Sequence, residues 1–198
     1  MTVTPGLILH RWTPATEDVI ANGSTLGIEC DLSKDGRVYS AKPPSPESIS
    51  IEEAIDKGVK SIDDVMVLDL KLASGEQVGP LMVESIKYAA LRSQMYVASY
   101  NHQALVDVKR LCKFDVTIVG IVVGLLVDPR GYAVRAGLDG LVMQPRFLSR
   151  DLAEEFSRER LSLIGSTVST RSMLDEVESS GVALAMIDAD FLVGNGHV

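Results

Sequence analysis

Two acidic residues lie inside an apolar, strand-like segment near the start of this chain. They are Glu29 and Asp31, two positions apart within the segment Thr25–Ser33. Because side chains alternate between the two faces of a strand, both carboxylates point to the same side. A carboxylate that is buried without a partner is strongly destabilising or takes up a proton. The pair therefore favours a neighbouring cation.

A third carboxylate, Asp69, ends the later apolar segment Val65–Lys71. If that strand lies beside the first, Asp69 joins Glu29 and Asp31 in an oxygen cage of the kind that suits Mg²⁺ or Ca²⁺. The alternative is an ion-pair network in which the same carboxylates are neutralised by Arg11 and Lys71.

Basic residues end two of these segments. His10 and Arg11 follow the apolar run that begins at Gly6, and Lys71 lies two positions after Asp69. A guanidinium binds phosphate as a fork and an ammonium binds it as a point charge, so Arg11 and Lys71 could hold a phosphate together. His10 could transfer protons, although a lone histidine at a strand end is more often structural.

These residues need a scaffold that brings strand ends together, and the pattern of the chain supplies one. Eight strand-like segments alternate with amphipathic helical segments. We predict a minimal (β/α)8 TIM barrel, a single domain over residues 1–198, with a short or absent last helix. An open doubly wound sheet is the alternative, but no Gly-rich phosphate loop follows the first strand. The predicted strands are Gly6–His10, Thr25–Ser33, Val65–Lys71, Met95–Tyr100, Val116–Val123, Gly140–Met143, Ser162–Val168 and Ala183–Asp188.

The composition and net charge limit the classes of partner that this chain is expected to bind. The net charge of −8 argues against non-specific binding to nucleic acid or to an anionic membrane. The longest apolar run, Val116–Val127, is too short to span a bilayer and is broken by two glycines. Two cysteines, Cys30 and Cys112, give no disulfide framework or zinc spacing, which fits buried thiols in a cytoplasmic protein.

At the residues that could do chemistry, the sequence resembles the glycerophosphodiester phosphodiesterase family. His10-Arg11 is similar to the start of a His-Arg-Gly motif, and Leu68-Asp69-Leu70-Lys71 to a strand that normally reads Glu-x-Lys. The segment Gly27–Gly36 is similar to a Glu-x-Asp strand followed by a Lys-Asp-Gly turn. Ser99-Tyr100-Asn101-His102 and Ile187-Asp188 resemble later family stretches. The matches run in order along nearly the whole chain.

The resemblance implies a metal-dependent barrel enzyme that hydrolyses a small-molecule glycerophosphodiester to glycerol 3-phosphate and an alcohol. It implies that Glu29, Asp31 and Asp69 bind Mg²⁺ or Ca²⁺. It also implies that His10 is one of two acid/base groups and that Arg11 and Lys71 contact the phosphate.

Four departures from the family pattern affect the site, and one of them is that the family's Glu-Asn-Thr element reads Ala15-Thr16-Glu17. The second catalytic histidine is absent, and its place falls at Lys42, which could donate a proton only if its pKa were lowered toward neutrality. Trp12 stands where the motif has Gly, and Asp69 stands where it has Glu. The small family insertion is reduced to a Pro/Ser-rich loop at Lys42–Ser50.

These departures leave three hypotheses open. The chain is a phosphodiesterase, slow because of Lys42; or a catalytically degenerate barrel that binds a phosphorylated metabolite or regulates; or a structural or assembly protein whose carboxylates are only ion-paired. A truncated C-terminal end could expose apolar barrel surface and favour a homo-oligomer.

Overall fold

A computed structural model describes residues 4–12, 27–39, 48–73 and 75–194. Their ten strands are β1 (Gly6–His10), β2 (Gly27–Leu32), β3 (Val38–Tyr39), β4 (Ser48–Ile49), β5 (Val65–Leu70), β6 (Gln94–Ser99), β7 (Thr117–Val122), β8 (Gly140–Met143), β9 (Ser162–Val168) and β10 (Leu184–Asp188). All eight predicted strands are present, within one or two residues of their expected bounds.

Seven helices follow strands in the described part of the chain. They are α1 (Ile51–Gly58), α2 (Pro80–Ala90), α3 (His102–Leu111), α4 (Pro129–Ala136), α5 (Arg150–Arg158), α6 (Arg171–Ser180) and α7 (Ala189–Gly194). Side-chain caps fix several starts, since an N-cap oxygen accepts from a free N–H of the first turn. At the start of α1, for example, the hydroxyl of Ser50 accepts from the backbone N–H of Glu53.

Eight of the strands close into a parallel barrel in the order β1-β10-β9-β8-β7-β6-β5-β2, and β2 pairs back with β1. This last pairing confirms the (β/α)8 barrel and excludes the open sheet. The short strands β3 and β4 add antiparallel pairs to the edge of β2. Helix α7 is six residues long, which confirms the short last helix in the described part. The reduced insertion falls mostly outside the described residues, and the single-domain boundary stays a prediction.

Two apolar layers result from the alternation of side chains along the strands. One fills the barrel lumen and the other packs between the strands and the helices. On β2, for example, Ile28, Cys30 and Leu32 all belong to the outer layer, so the residues between them face the lumen. The lumen layer is formed by Ile8, Val65, Val67, Ala98, Val119, Val142, Ile164 and Met186. Among the described helices, none has the length and hydropathy that a membrane crossing needs.

Trp12 lies in the outer layer, although its position suggested a bulky ring at the site. The side chain is only 1% exposed and packs with the outer core. A Cβ atom placed on Gly58 of α1 would lie 3.3 Å from its Cε2 atom, so the ring is directed at that helix. The indole therefore stabilises the packing of α1 and does not enter the lumen.

We predict that Gly140→Ala destabilises the barrel where β8 meets β9. A Cβ atom at this position would lie 2.1 Å from the backbone oxygen of Ser162, which cannot move without breaking the sheet. Overpacking of this kind costs about 1–3 kcal/mol, to be measured by urea unfolding. Gly124→Ala is the matched control, because a Cβ atom there meets nothing within 4 Å. Equal stability of the two variants would contradict the prediction.

Candidate active site at the barrel mouth

Three carboxyl groups are buried together where β2 and β5 end. Glu29, Asp31 and Asp69 are 2%, 3% and 6% exposed, and each offers an oxygen within 4.8 Å of the others. The sheet places them, since Asp31 is the direct neighbour of Asp69 in the parallel pairing of β2 with β5. Alternation along β2 puts Glu29 on the same side as Asp31. The three carboxyl groups therefore lie together, as the sequence predicted.

The three carboxyl groups carry more negative charge than the neighbouring positive groups neutralise. Burial, with the charges of Asp31 and Asp69 adding to it, raises the pKa of Glu29 to about 8. The backbone N–H of Arg11, which donates to Glu29 Oε2 at 2.8 Å, opposes this shift, as does the charge of Lys71. Burial also raises the pKa of Asp69. A carboxyl group that keeps a proton at neutral pH, because of its burial and the neighbouring carboxylates, gains from a bound cation instead.

Lys71 supplies the positive charge nearest to the cluster. Its Nζ atom lies 3.0 Å from Asp31 Oδ1 and forms a second, short contact with Asp69 Oδ2. Burial lowers the pKa of Lys71, but its attraction to the two aspartates is stronger, and the net effect is a raised pKa. Part of the ion-pair alternative is therefore observed. Its side chain is 30% exposed, so the ammonium also reaches the open mouth.

His10 is held by Asp188 across the seam between the first and last strands. Its Nδ1 atom lies 2.8 Å from Asp188 Oδ1, and the two residues are direct neighbours in the pairing of β1 with β10. When Nδ1 donates to this carboxylate, Nε2 carries the remaining lone pair. Nε2 lies 3.8 Å from Glu29 Oε2 and thus faces the carboxylate cluster.

Arg11 has an unusual backbone conformation, with φ of 52°. A side chain in this left-handed region is strained by about 1–2 kcal/mol. The conformation accompanies the hydrogen bond from its backbone N–H to Glu29. Its side chain is exposed, and no ion pair joins the guanidinium to another residue within the described ranges. The ion-pair alternative therefore involves Lys71 but not Arg11 in this part of the chain.

Lys42 lies outside the described residues, so its role stays a prediction. His102 begins α3 and turns away from the lumen, where its Nδ1 atom contacts the Tyr132 hydroxyl and its Nε2 atom lies 3.1 Å from the Ile121 carbonyl oxygen. This histidine ties α3, β7 and α4 together.

The other half of the mouth holds a cleft that sequence reasoning missed. It has a volume of about 590 Å³ and lies at the ends of β6 to β9. Its polar groups, such as Gln144 and Ser166, belong to segments that have no motif. Asp188 was noted at a strand end, but its role as a partner of His10 was not predicted. The signal for that pairing was barrel closure, which sets β10 beside β1.

The donor set fits a hard divalent cation. All three groups offer oxygen, which Mg²⁺ and Ca²⁺ prefer. Asp69 Oδ1 is buried and, within the described residues, has no hydrogen-bond partner. Such an orphaned acceptor is unfavourable unless something binds it. The acidic cluster and the orphaned oxygen are thus both consistent with a metal ion, whose identity the carboxylates do not specify.

Solved structures of glycerophosphodiester phosphodiesterases share this fold. A Galdieria sulphuraria protein, provisionally assigned to that enzyme class, has a TM-score of 0.73 at 17% identity and covers 94% of both chains. The Thermotoga maritima enzyme has a TM-score of 0.68 at 13% identity, covering 98% of this chain and 97% of its own. An Oleispira antarctica phosphodiesterase, solved with sn-glycerol 3-phosphate, has a TM-score of 0.63 at 16% identity, covering 94% and 93%. No family model and no curated protein sequence matches the chain.

We predict that the metal-free protein loses stability as the pH rises from about 4.5 to about 8. Over this window the folded chain keeps a proton on Glu29 that the unfolded chain, with its ordinary pKa of 4.5, releases. The free energy of unfolding then falls by at most about 1.4 kcal/mol per pH unit. Glu29→Gln, which cannot ionise, should flatten this dependence in urea titrations with a chelator present. An unchanged slope in the variant would contradict the assignment.

We also predict that Arg11→Gly is more stable than Arg11→Ala by about 1 kcal/mol, because glycine adopts a positive φ without strain. Both variants lose the same guanidinium, so thermal unfolding isolates the backbone effect. If alanine proves the more stable of the two, the strained conformation is not adopted in solution.

Proposed function

We propose that this chain is a divalent-cation-dependent phosphodiesterase that hydrolyses a glycerophosphodiester to glycerol 3-phosphate and an alcohol. The observation that carries the proposal is a histidine held by Asp188 with its free nitrogen facing three buried carboxyl groups. The likeness to phosphodiesterase structures supports it through the fold.

His10 is the proton-transfer group of the proposed reaction. Asp188 fixes the ring through Nδ1, so that Nε2 is free to accept the proton of the attacking O–H. A P–O bond forms to the attacking oxygen, and the P–O bond to the alcohol breaks. The proton passes to the departing oxygen, and one water is consumed overall. Lys42 is the candidate for the second proton-transfer group.

The phosphate contacts are assigned to the basic residues beside the carboxylates. Arg11 is exposed with an unpaired guanidinium in the described part, and a guanidinium binds two phosphate oxygens as a fork. Lys71 has three N–H donors, of which the aspartates use two. Glu29, Asp31 and Asp69 would hold the cation, which supplies charge neutralisation for the phosphate when it is bound.

The degenerate-barrel alternative loses one of its supports in this fold. It depended in part on Trp12 occupying the mouth, and the indole packs against α1 instead. The absent second histidine remains as an argument for a slow rate, since losing one acid/base partner costs about 10² to 10⁴ in rate.

The proposal is tested by measuring glycerol 3-phosphate release from a panel of glycerophosphodiesters with Mg²⁺, with Ca²⁺ and with a chelator. We expect activity only with a cation. His10→Ala should lower kcat by about 10² to 10⁴. Asp188→Asn should lower kcat by a smaller factor, because the amide no longer fixes the ring with Nε2 free to accept a proton.

His197→Ala serves as the control, because it removes a histidine that has no assigned role. Lys42→Met measures the remaining proton-transfer group in the same assay. Turnover that survives both the chelator and Glu29→Gln would refute metal dependence. If no diester in the panel is hydrolysed under any condition, the chain is not a phosphodiesterase of this kind.

A further inference from the structure

The two halves of the barrel mouth differ in charge. His10, the three carboxyl groups and Lys71 end strands of one half. On the other half, the ends of β6 to β9 bring Ile121, Val123 and Val142 into the cleft. Val142 belongs to the apolar lumen layer and Ile121 packs against it, so the cleft is continuous with the barrel interior. A phosphate held on the charged half would therefore have this partly apolar cleft on the other half of the same mouth.

Apolar side chains continue from this cleft to the solvent. Tyr100 and Val123 line the cleft and are 61% and 62% exposed. Leu125 and Val127 follow along the same loop and are 71% and fully exposed. Single exposed apolar residues are ordinary, but a run of them beside a cleft indicates a binding surface.

The loop that carries Val123, Leu125 and Val127 is held at both ends. At its start, His102 Nε2 lies 3.1 Å from the carbonyl oxygen of Ile121. At its end, the Asp128 carboxylate caps α4 by accepting from the backbone N–H of Gly131 at 2.8 Å. The apolar side chains of this loop are therefore presented between two held ends.

We infer that the cleft binds an apolar ester arm, so that the substrate is a phosphodiester carrying one long alkyl or acyl chain. This inference rests on the proposed function and narrows its substrate class. Arg146 and Glu176 bring one charge of each sign to the cleft, and both are exposed to water. The lining therefore has no net charge, and the hydroxyls of Ser166 and Thr167 bond to each other at 3.1 Å.

The test is a chain-length series of glycerophospho-n-alkanols from methanol to octanol, each below its critical micelle concentration. We expect kcat/KM to rise about two- to fourfold for each added methylene that enters the cleft, mainly through KM. A second series, glycerophosphocholine against its 1-hexanoyl and 1-octanoyl esters, shows whether the chain belongs to the glycerol arm. A rise in either series supports the inference.

The double variant Tyr100→Ser with Val123→Ser should flatten that rise. Leu91→Ser is the matched control, because Leu91 is similarly exposed at 67% but ends α2 outside the cleft. Leu91→Ser should keep the wild-type slope. If both variants keep it, or if polar head groups are preferred over alkyl chains, the inference is wrong while the proposed function stands.

A binding measurement separates this inference from the failure of catalysis. Butyl, hexyl and octyl phosphate are added below their micellar range, and thermal unfolding is followed. Stabilisation that grows with chain length in the wild type, but not in the double variant, supports an apolar cleft even if no diester is hydrolysed. Sedimentation that shows a dimer which the double variant abolishes would mean that a second copy covers the surface, and would overturn the inference.

Discussion

The burial of three carboxyl groups side by side is the constraint on which the rest of the site depends. Parallel pairing of β2 with β5 fixes Asp31 beside Asp69, and alternation adds Glu29 to the same cluster. Mutual repulsion and loss of water make the charged state of this cluster unfavourable. The backbone N–H of Arg11 and the ammonium of Lys71 offset part of this, and a bound cation would offset more. The left-handed backbone conformation of Arg11 accompanies the hydrogen bond that its N–H donates to Glu29.

Much of the barrel could be predicted from local pattern alone. Its strands are short apolar runs separated by amphipathic segments. This alternation is visible in the sequence without knowledge of which strands pair. The bounds of β1, β8 and β9 were predicted to the residue. The carboxylate cluster was also predictable, because two acidic residues of one strand share a face and the next barrel strand ends in a third.

What could not be predicted depends on contacts across the closed barrel. The partner of His10 is an aspartate at the far end of the chain, and only the β1–β10 register makes them neighbours. The direction of the Trp12 ring follows from the space left by Gly58 on α1, which no motif records. The cleft on the other half of the mouth has the same origin, because its lining comes from four separate strands that have no charged signature.

The seam between β1 and β10 also has a consequence for how the site is assembled during folding. His10 and Asp188 are separated by 178 positions, and β1 meets β2 through only two residue pairs. The acidic cluster involves no residue later than Asp69, and its members lie on the adjacent strands β2 and β5. The histidine gains its partner only when β10 pairs with β1. The acidic cluster thus needs one local strand pair, whereas the orientation of the His10 ring needs the closed barrel.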